Sequence, residues 1–186
     1  KGWNAARQPR NPAATKLSAI AAPEITLSDT GESRPFLREE SMLAFNEIIA
    51  KPFPLLGIPF ADGGRDQKGL DCWGLVLEVF KRCGLKLPDY HICCFDTAGI
   101  DAKVSEQRSA WSPCEPGAVS IPALVVMRFN SPVFINHVGT YIGSGRFIHT
   151  AEKMGVNIDR MDHPYWKRHI EGLYVPVTQK GVSKNE

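Results

Sequence analysis

Large apolar side chains recur every three or four residues in two segments, which is the period of an amphipathic helix. The first segment covers residues 39–51, and Pro52 follows at once and ends the predicted helix. The second covers residues 72–83, and Gly84 stands where helices commonly end. The pattern therefore predicts two helices, separated by a stretch that is rich in glycine and proline.

The second part of the chain has the apolar pattern of short strands. The segment Gly143-Ser144-Gly145 lies between two apolar runs and predicts a β-hairpin. Residues 85–117 show no period that predicts a regular element. Strands are predicted over residues 123–129, 134–142, 146–150, 156–158 and 172–175.

Length and composition predict one folded domain with tails. The chain has 186 residues, of which 43% are hydrophobic and 23% charged, as is ordinary for a globular domain. Residues 41–177 contain most of the predicted elements and form the predicted domain. Residues 1–40 are poor in large apolar side chains and contain several prolines, which predicts an arm or linker. Residues 178–186 are predicted as a polar tail.

Charge, hydropathy and cysteine usage narrow the range of partners. A formal net charge of +2 gives no strong field for nucleic acid. No run reaches the ~18 apolar residues that a membrane span needs. The apolar run 17–23 is too short and interrupted for a convincing signal peptide, although export stays open. Five cysteines cannot all pair within the chain, so most are predicted as free thiols, which fits folding in a reducing compartment.

Cys72 is the first candidate for chemistry. Asp71 is a residue type that commonly caps a helix start, which would place Cys72 in the first helical turn. Helix starts favour anions, so this position favours a thiolate, and the first N–H groups could stabilise an oxyanion. A buried structural cysteine is the alternative interpretation.

His137 and His149 are the second candidate pair. If Gly143-Ser144-Gly145 is a three-residue loop with Gly145 left-handed, the two histidines become diagonal neighbours on one sheet face. A two-residue loop would shift the register and separate them. A cysteine with a histidine and a third polar group follows the logic of a catalytic triad. The alternative is that both are ordinary strand residues. Zinc is another interpretation, and the possible ligands are Cys72, Cys93, Cys94, His91, His137 and His149. No CxxC or HExxH spacing supports such a site, and no glycine-rich phosphate loop is convincing, so no metal and no cofactor are expected.

Two segments carry a resemblance to a known family. LLGIPFADGGRDQKGLDCWGLVLEVFKRCGLKLP resembles the NlpC/P60 block that runs from a GG-containing loop to a DC-x-GLV helix. NHVGTYIGSGRFIHT resembles the HVGIY block of the same family, which ends in IHA. The resemblance implies an α+β, papain-like fold in which the helix bearing the nucleophile packs on an antiparallel sheet. It also implies that Cys72 is the nucleophile, His137 the base and His149 the third polar residue.

The resemblance implies a cysteine peptidase that hydrolyses peptidoglycan stem peptides, often between D-γ-glutamyl and a diamino acid. Two residues depart from the family pattern: Phe60 stands where many members have Tyr, and Trp73 where a small residue is usual. With Asp71 they are the residues expected to bind substrate or support the oxyanion site.

The segments DCWGLV, VVMRF and HPYW look most like the phage-tail subgroup. This predicts a peptidase in the tail of a phage or phage-like particle, made in the bacterial cytoplasm, whose arm contacts other tail-tip proteins. Three alternatives stay open: a structural tail component with little catalysis, an exported bacterial wall hydrolase, and a related thiol acyltransferase or amidase.

Overall fold

A computed structural model describes residues 26–27, 42–51, 53–115 and 122–177. The predicted tail 178–186 and most of the predicted arm 1–40 lie outside these residues. In chain order the elements are β1 (Thr26–Leu27), α1 (Met42–Ala50), β2 (Arg65–Asp66), β3 (Gly69–Leu70), α2 (Cys72–Arg82), β4 (Leu85–Lys86), α3 (Thr97–Glu106), β5 (Trp111–Cys114), β6 (Ala123–Met127), β7 (His137–Gly143), β8 (Arg146–Ala151), β9 (Gly155–Arg160), α4 (Trp166–His169) and β10 (Ile170–Pro176).

Six of the strands form one antiparallel sheet in the order β5-β10-β6-β7-β8-β9. Helix α2 packs against β7 and β8 at the centre of this sheet. The α+β class predicted from the resemblance is confirmed. The short strand β1, within the predicted arm, pairs with β4 of the domain.

Residues 85–117 are the main disagreement between the sequence pattern and the structure. The sequence predicts no regular element there, whereas the structure contains α3 and β5. No residue of α3 is fully buried, and its two large apolar residues, Ile100 and Val104, are too few to give a periodic pattern that predicts a helix.

Helix α2 is anchored by two adjacent rows of apolar side chains. Leu75 and Val79 pack in the larger cluster of the core, which also contains Tyr141 and Phe147 of the sheet. Val76 and Phe80 pack in a second cluster with strands β6 and β7. All four helix side chains are fully buried, so the position of α2 relative to the central strands is strongly determined.

A close backbone contact fixes where α2 begins. A side chain at Gly74 would collide with the carbonyl oxygen of Gly64, which lies in the loop before β2. Glycine is therefore required at this point, and it lets the first turn of α2 lie directly on that loop.

The hairpin between β7 and β8 has a different turn from the predicted one, yet it keeps the predicted register. Gly143 pairs with Arg146, so the loop has two residues, Ser144 and Gly145, both with positive φ (51° and 68°). A register shift follows between Tyr141 and Gly143. This bulge absorbs one residue and cancels the shift that a two-residue loop would cause.

Replacing Gly145 with valine should destabilise the domain by about 1–2 kcal/mol, since φ at this residue is 68° and a β-branched residue is strained there. A Cβ at this position meets nothing within 4 Å, so the cost comes from the backbone alone. Chemical unfolding measures the change. Gly145→Asn is the matched control, because asparagine tolerates the left-handed region. Equal stabilities of the two variants would contradict the argument.

Candidate active site

Asp71 caps α2 and holds the start of the helix in place. One carboxylate oxygen accepts a hydrogen bond from the backbone N–H of Gly74 at 2.6 Å. The other accepts from the N–H of Gly63 at 3.0 Å and pairs with Nη1 of Arg65 at 2.8 Å. A carboxylate cannot donate to an oxyanion, so Asp71 supports the site by fixing the first turn that carries Cys72.

Arg65 ties this helix start to the next wall of the site. Besides Asp71, its guanidinium binds both carboxylate oxygens of Asp89 at 2.9–3.1 Å. These two carboxylates raise the pKa of Arg65 against the opposing effect of burial. The bidentate pair holds the segment around Tyr90, which lines the same cavity as Cys72.

Cys72 is buried in the first turn of α2, with 9% of its surface exposed. The backbone N–H groups of Val138 and Trp73 lie within hydrogen-bonding reach of its sulfur and favour the thiolate. Burial, aided by the charge of Asp71, outweighs them and raises the pKa of the thiol to about 11. At neutral pH the group is therefore a protonated thiol at rest, which needs a base to remove its proton.

His137 is the histidine that shares the cavity with Cys72. It begins β7 next to Val138, and it lines the same cavity as Cys72. Its Nε2 lies 3.1 Å from Nδ1 of His149, so Nδ1 is the ring nitrogen of His137 that this contact does not use. Burial, followed by the neighbouring His149, lowers the pKa of His137 to about 3, so the ring is neutral at rest.

Two neutral groups at rest do not prevent proton transfer between Cys72 and His137. Burial raises the pKa of the thiol and lowers the pKa of the imidazole because each shift measures the cost of charging that one group alone, away from water. Transfer of the proton creates both charges together, and their attraction offsets part of the desolvation cost. The pair can therefore form a thiolate and an imidazolium when a substrate is present.

His149 is fully buried on β8 and joins His137 to a carboxylate. Its ring meets the His137 ring edge-to-face, with centroids 5.4 Å apart, and contacts the indole of Trp166 at 4.8 Å. Its Nε2 lies 2.9 Å from Oδ2 of Asp159. The predicted pairing of the two histidines is therefore present, and it continues to a third group.

Asp159 was missed by the sequence analysis, which ended the predicted strand at residue 158. In the structure β9 continues to Arg160, and His149 pairs with Asn157 across the β8–β9 ladder. Asp159 lies two residues beyond Asn157, hence on the same face as His149. Extending the alternation of that hairpin by two residues would have identified it.

The two remaining candidates lie in different places. Trp73 lines the cavity, donates from Nε1 to the carbonyl of Pro88 at 3.2 Å and packs on Tyr90. Phe60 forms a backbone bridge with Leu70, directly before Asp71, and lies outside the lining of the cavity that contains Cys72.

The cavity beside Cys72 has a volume of about 110 Å³ and a mainly apolar wall. Helix α3, which the sequence pattern did not predict, closes one side, and its Lys103 and the nearby Arg108 are the cationic groups of the lining. The apolar wall includes Ile92, Ile100, Val104, Leu124, Val126 and Ile135. The site can therefore hold an uncharged group next to the thiol, with cations toward α3.

Neither a metal site nor a membrane-spanning helix is present among the residues that the structure describes. Among them, no group of three or more His, Cys, Asp or Glu side chains is arranged to hold a metal ion. No helix in the described part of the chain is long and apolar enough to cross a membrane.

The stability of the domain should fall as the pH is lowered from about 6.5 to about 4.5. Unfolded His137 takes up a proton near pH 6.5, whereas the folded residue does so only near pH 3. The unfolded state therefore binds more protons in this window, and each pH unit costs up to about 1.4 kcal/mol for this one group. Burial lowers the pKa of His149 as well, which adds to the effect in the same direction.

Urea unfolding at several pH values measures this slope. His137→Gln should flatten it, and His163→Gln, at an exposed site, is the matched control for loss of a histidine. Identical slopes for the wild type and His137→Gln would show that His137 does not remain neutral in the fold.

The chain is similar to one protein family and to individual members of it. The sequence profile of the NlpC/P60 family matches residues 57–174. The murein DD-endopeptidase MepS/murein LD-carboxypeptidase of Escherichia coli K12 is 32% identical over 113 residues, which are 60% of this chain and 52% of that protein. The probable endopeptidase p60 of Listeria monocytogenes is 31% identical over 126 residues, or 68% of this chain and 23% of that protein. The chain thus spans about half the length of the Escherichia coli relative and less than a quarter of the length of the Listeria monocytogenes relative.

Two solved structures support the fold. An NLP/P60 family protein from Staphylococcus aureus Mu50, described as similar to a lipoprotein, gives a TM-score of 0.52 at 21% identity, over 80% of this chain and 44% of that one. An NlpC/P60 family protein from Bacillus cereus ATCC 10987 gives 0.51 at 19% identity, over 75% and 40%.

Proposed function

The chain belongs to the NlpC/P60 family, and on that premise we propose that it is a cysteine peptidase that hydrolyses amide bonds in peptidoglycan stem peptides. The observation that carries the proposal is the chain of contacts from the cavity to the protein interior. Cys72 and His137 line one cavity, and His149 lies 3.1 Å behind His137. The names of the relatives, among them murein endopeptidases, support the substrate class.

The proposed reaction begins when the thiol proton of Cys72 moves to Nδ1 of His137. The sulfur attacks the amide carbonyl carbon, and backbone N–H groups at the start of α2 stabilise the oxyanion. The carbon–nitrogen bond then breaks, and His137 gives its proton to the departing amine. Water, deprotonated by His137, attacks the thioester and releases the carboxylic acid and the free thiol.

We propose the bond between D-γ-glutamyl and a diamino acid as the first candidate for cleavage. The D-alanyl bond of a cross-linked stem is the second, and one observation favours it. The wall beside Cys72 is mainly apolar, so it accepts the methyl group of a D-alanyl residue more readily than a charged carboxylate. A γ-glutamyl residue, which is linked through its side-chain carbonyl, carries such a carboxylate on its α-carbon. Lys103 and Arg108 favour the first candidate if that carboxylate points toward α3.

Incubation with purified muropeptides, followed by liquid chromatography and mass spectrometry, distinguishes the two bonds. Cleavage after γ-glutamyl releases a diamino acid–D-alanine dipeptide from an uncross-linked tetrapeptide. Cleavage of the D-alanyl cross-link converts a dimer into two monomers. If neither substrate changes, while the protein is folded, the proposed function is wrong.

The setting of this activity stays a prediction. Assembly into the tail of a phage or phage-like particle, with the arm on tail-tip proteins, is supported by the segments DCWGLV and HPYW. The curated relatives named above are bacterial proteins, which favours the alternative of a bacterial wall hydrolase. Immunodetection in purified particles and in cell envelopes separates these two settings.

A further inference from the structure

Asp159 contacts the buried pair of histidines, and the proposed reaction assigns it no role. Its Oδ2 lies 2.9 Å from Nε2 of His149, whose other nitrogen lies 3.1 Å from Nε2 of His137. His149 is fully buried, whereas the side chain of Asp159 is 30% exposed. The three groups form a line that runs from the solvent edge of β9 to the cavity.

The proton positions along this line follow from the chemistry of its last member. An ionised carboxylate only accepts hydrogen bonds, so Nε2 of His149 must carry a proton. In the neutral His149 ring, Nδ1 is then the acceptor, and Nε2 of His137 must donate to it. In the neutral His137 ring, Nδ1 is left without a proton and is therefore the nitrogen that can accept one from Cys72, which lines the same cavity.

We propose that Asp159 is a positioning residue, which acts through His149 to hold His137 in the one tautomer that can accept the thiol proton of Cys72. Without the carboxylate, the line can reverse. Nδ1 of His149 would then donate to Nε2 of His137, and Nδ1 of His137 would carry the proton of that ring. In that arrangement His137 cannot act as a base.

Among the residues that the structure describes, the surroundings of His149 hold no other group that could perform this role. The titratable groups that face its ring are His137 on β7 and Asp159 on β9. The rings of Phe147 and Trp166 pack against it and offer no acceptor to Nε2. Burial lowers the pKa of His149 although Asp159 opposes this shift, so the ring stays neutral, as the argument requires.

Asp159 also assists the proton transfer from Cys72 to His137, through the hydrogen bond between the two histidines. When His137 takes the proton from Cys72, it becomes an imidazolium in a buried site, which is costly. It then donates from Nε2 to His149, which is held in the accepting form by Asp159. No proton passes to Asp159; one moves from sulfur to Nδ1, and the others stay where they are.

Nitrogen-15 NMR of the histidine rings tests the proposal without any substrate. In the wild type, both His137 and His149 should carry their proton on Nε2. In Asp159→Asn the amide NH₂ can donate to His149, so the opposite tautomers should become populated in both rings. A wild-type His149 protonated on Nδ1 would overturn the proposal, even if the variant failed to fold.

A kinetic experiment rests on the proposed function and uses muropeptide hydrolysis. Asp159→Asn should lower kcat about 10- to 100-fold with little change in KM, because the residue touches no substrate. Asp162→Asn, an exposed acid-to-amide change, is the matched control and should retain kcat. Wild-type tautomers and a wild-type kcat in Asp159→Asn would overturn the proposal. A wild type without activity but with the stated tautomers would contradict the proposed function alone.

Discussion

Replacing Cys72 with alanine is expected to abolish muropeptide hydrolysis, with a loss of about 10⁴-fold or more, because no covalent intermediate can form. A second thiol, Cys94, lines the same cavity and is the obvious substitute. Burial and the contact with Asp62 raise the pKa of Cys94 to about 12, and it is not joined to the line of histidines. It should therefore not rescue the variant.

The control for this prediction is Cys93→Ala, since Cys93 is exposed and does not line the cavity. It should keep full activity. Circular dichroism and thermal unfolding establish that Cys72→Ala is folded, as expected for the loss of one sulfur atom. Turnover by folded Cys72→Ala at a tenth of the wild-type rate would exclude a thioester mechanism.

Replacing His137 with glutamine should lower activity nearly as much, because members of one catalytic unit are not additive. Glutamine can still donate a hydrogen bond to His149, so the loss isolates the ability to accept a proton. His149→Gln should cost less, since that residue acts on His137 and not on the substrate. Initial rates of muropeptide cleavage by the wild type, His137→Gln and His149→Gln test these expectations.

The exposed His163 provides the matched control, and His163→Gln should hydrolyse muropeptides at the wild-type rate. Near-wild-type turnover by His137→Gln would show that another group removes the thiol proton. Activity of His137→Gln that recovers on adding free imidazole would, in contrast, support the assignment of the base.

The central part of the site could be predicted because its signals are local. Asp71 before a helical apolar pattern identifies the cap, and hence the position of Cys72. The pairing of His137 with His149 was predicted from an incorrect loop length. It is nevertheless present, because the bulge between Tyr141 and Gly143 restores the register. A two-residue turn with a bulge and a three-residue turn without one give the same strand register, so the sequence pattern cannot distinguish them.

The rest of the site depends on contacts that leave no local pattern. Helix α3 forms one wall of the cavity with partly exposed residues. Its position there depends on contacts with elements that are distant in sequence. Arg65 reaches Asp89 across 24 residues. Asp159 meets His149 only because a second hairpin continues β9 past residue 158.

Mass spectrometry of the protein during turnover tests the central claim most directly. A reaction with muropeptide is quenched in acid, the protein is digested, and each peptide is searched for the mass of the acyl half of the substrate. The acyl group should be found as a thioester on the peptide that contains Cys72, and it should be absent from Cys72→Ala. Product formation with the acyl group on any other residue would contradict the assignment of Cys72 as the nucleophile.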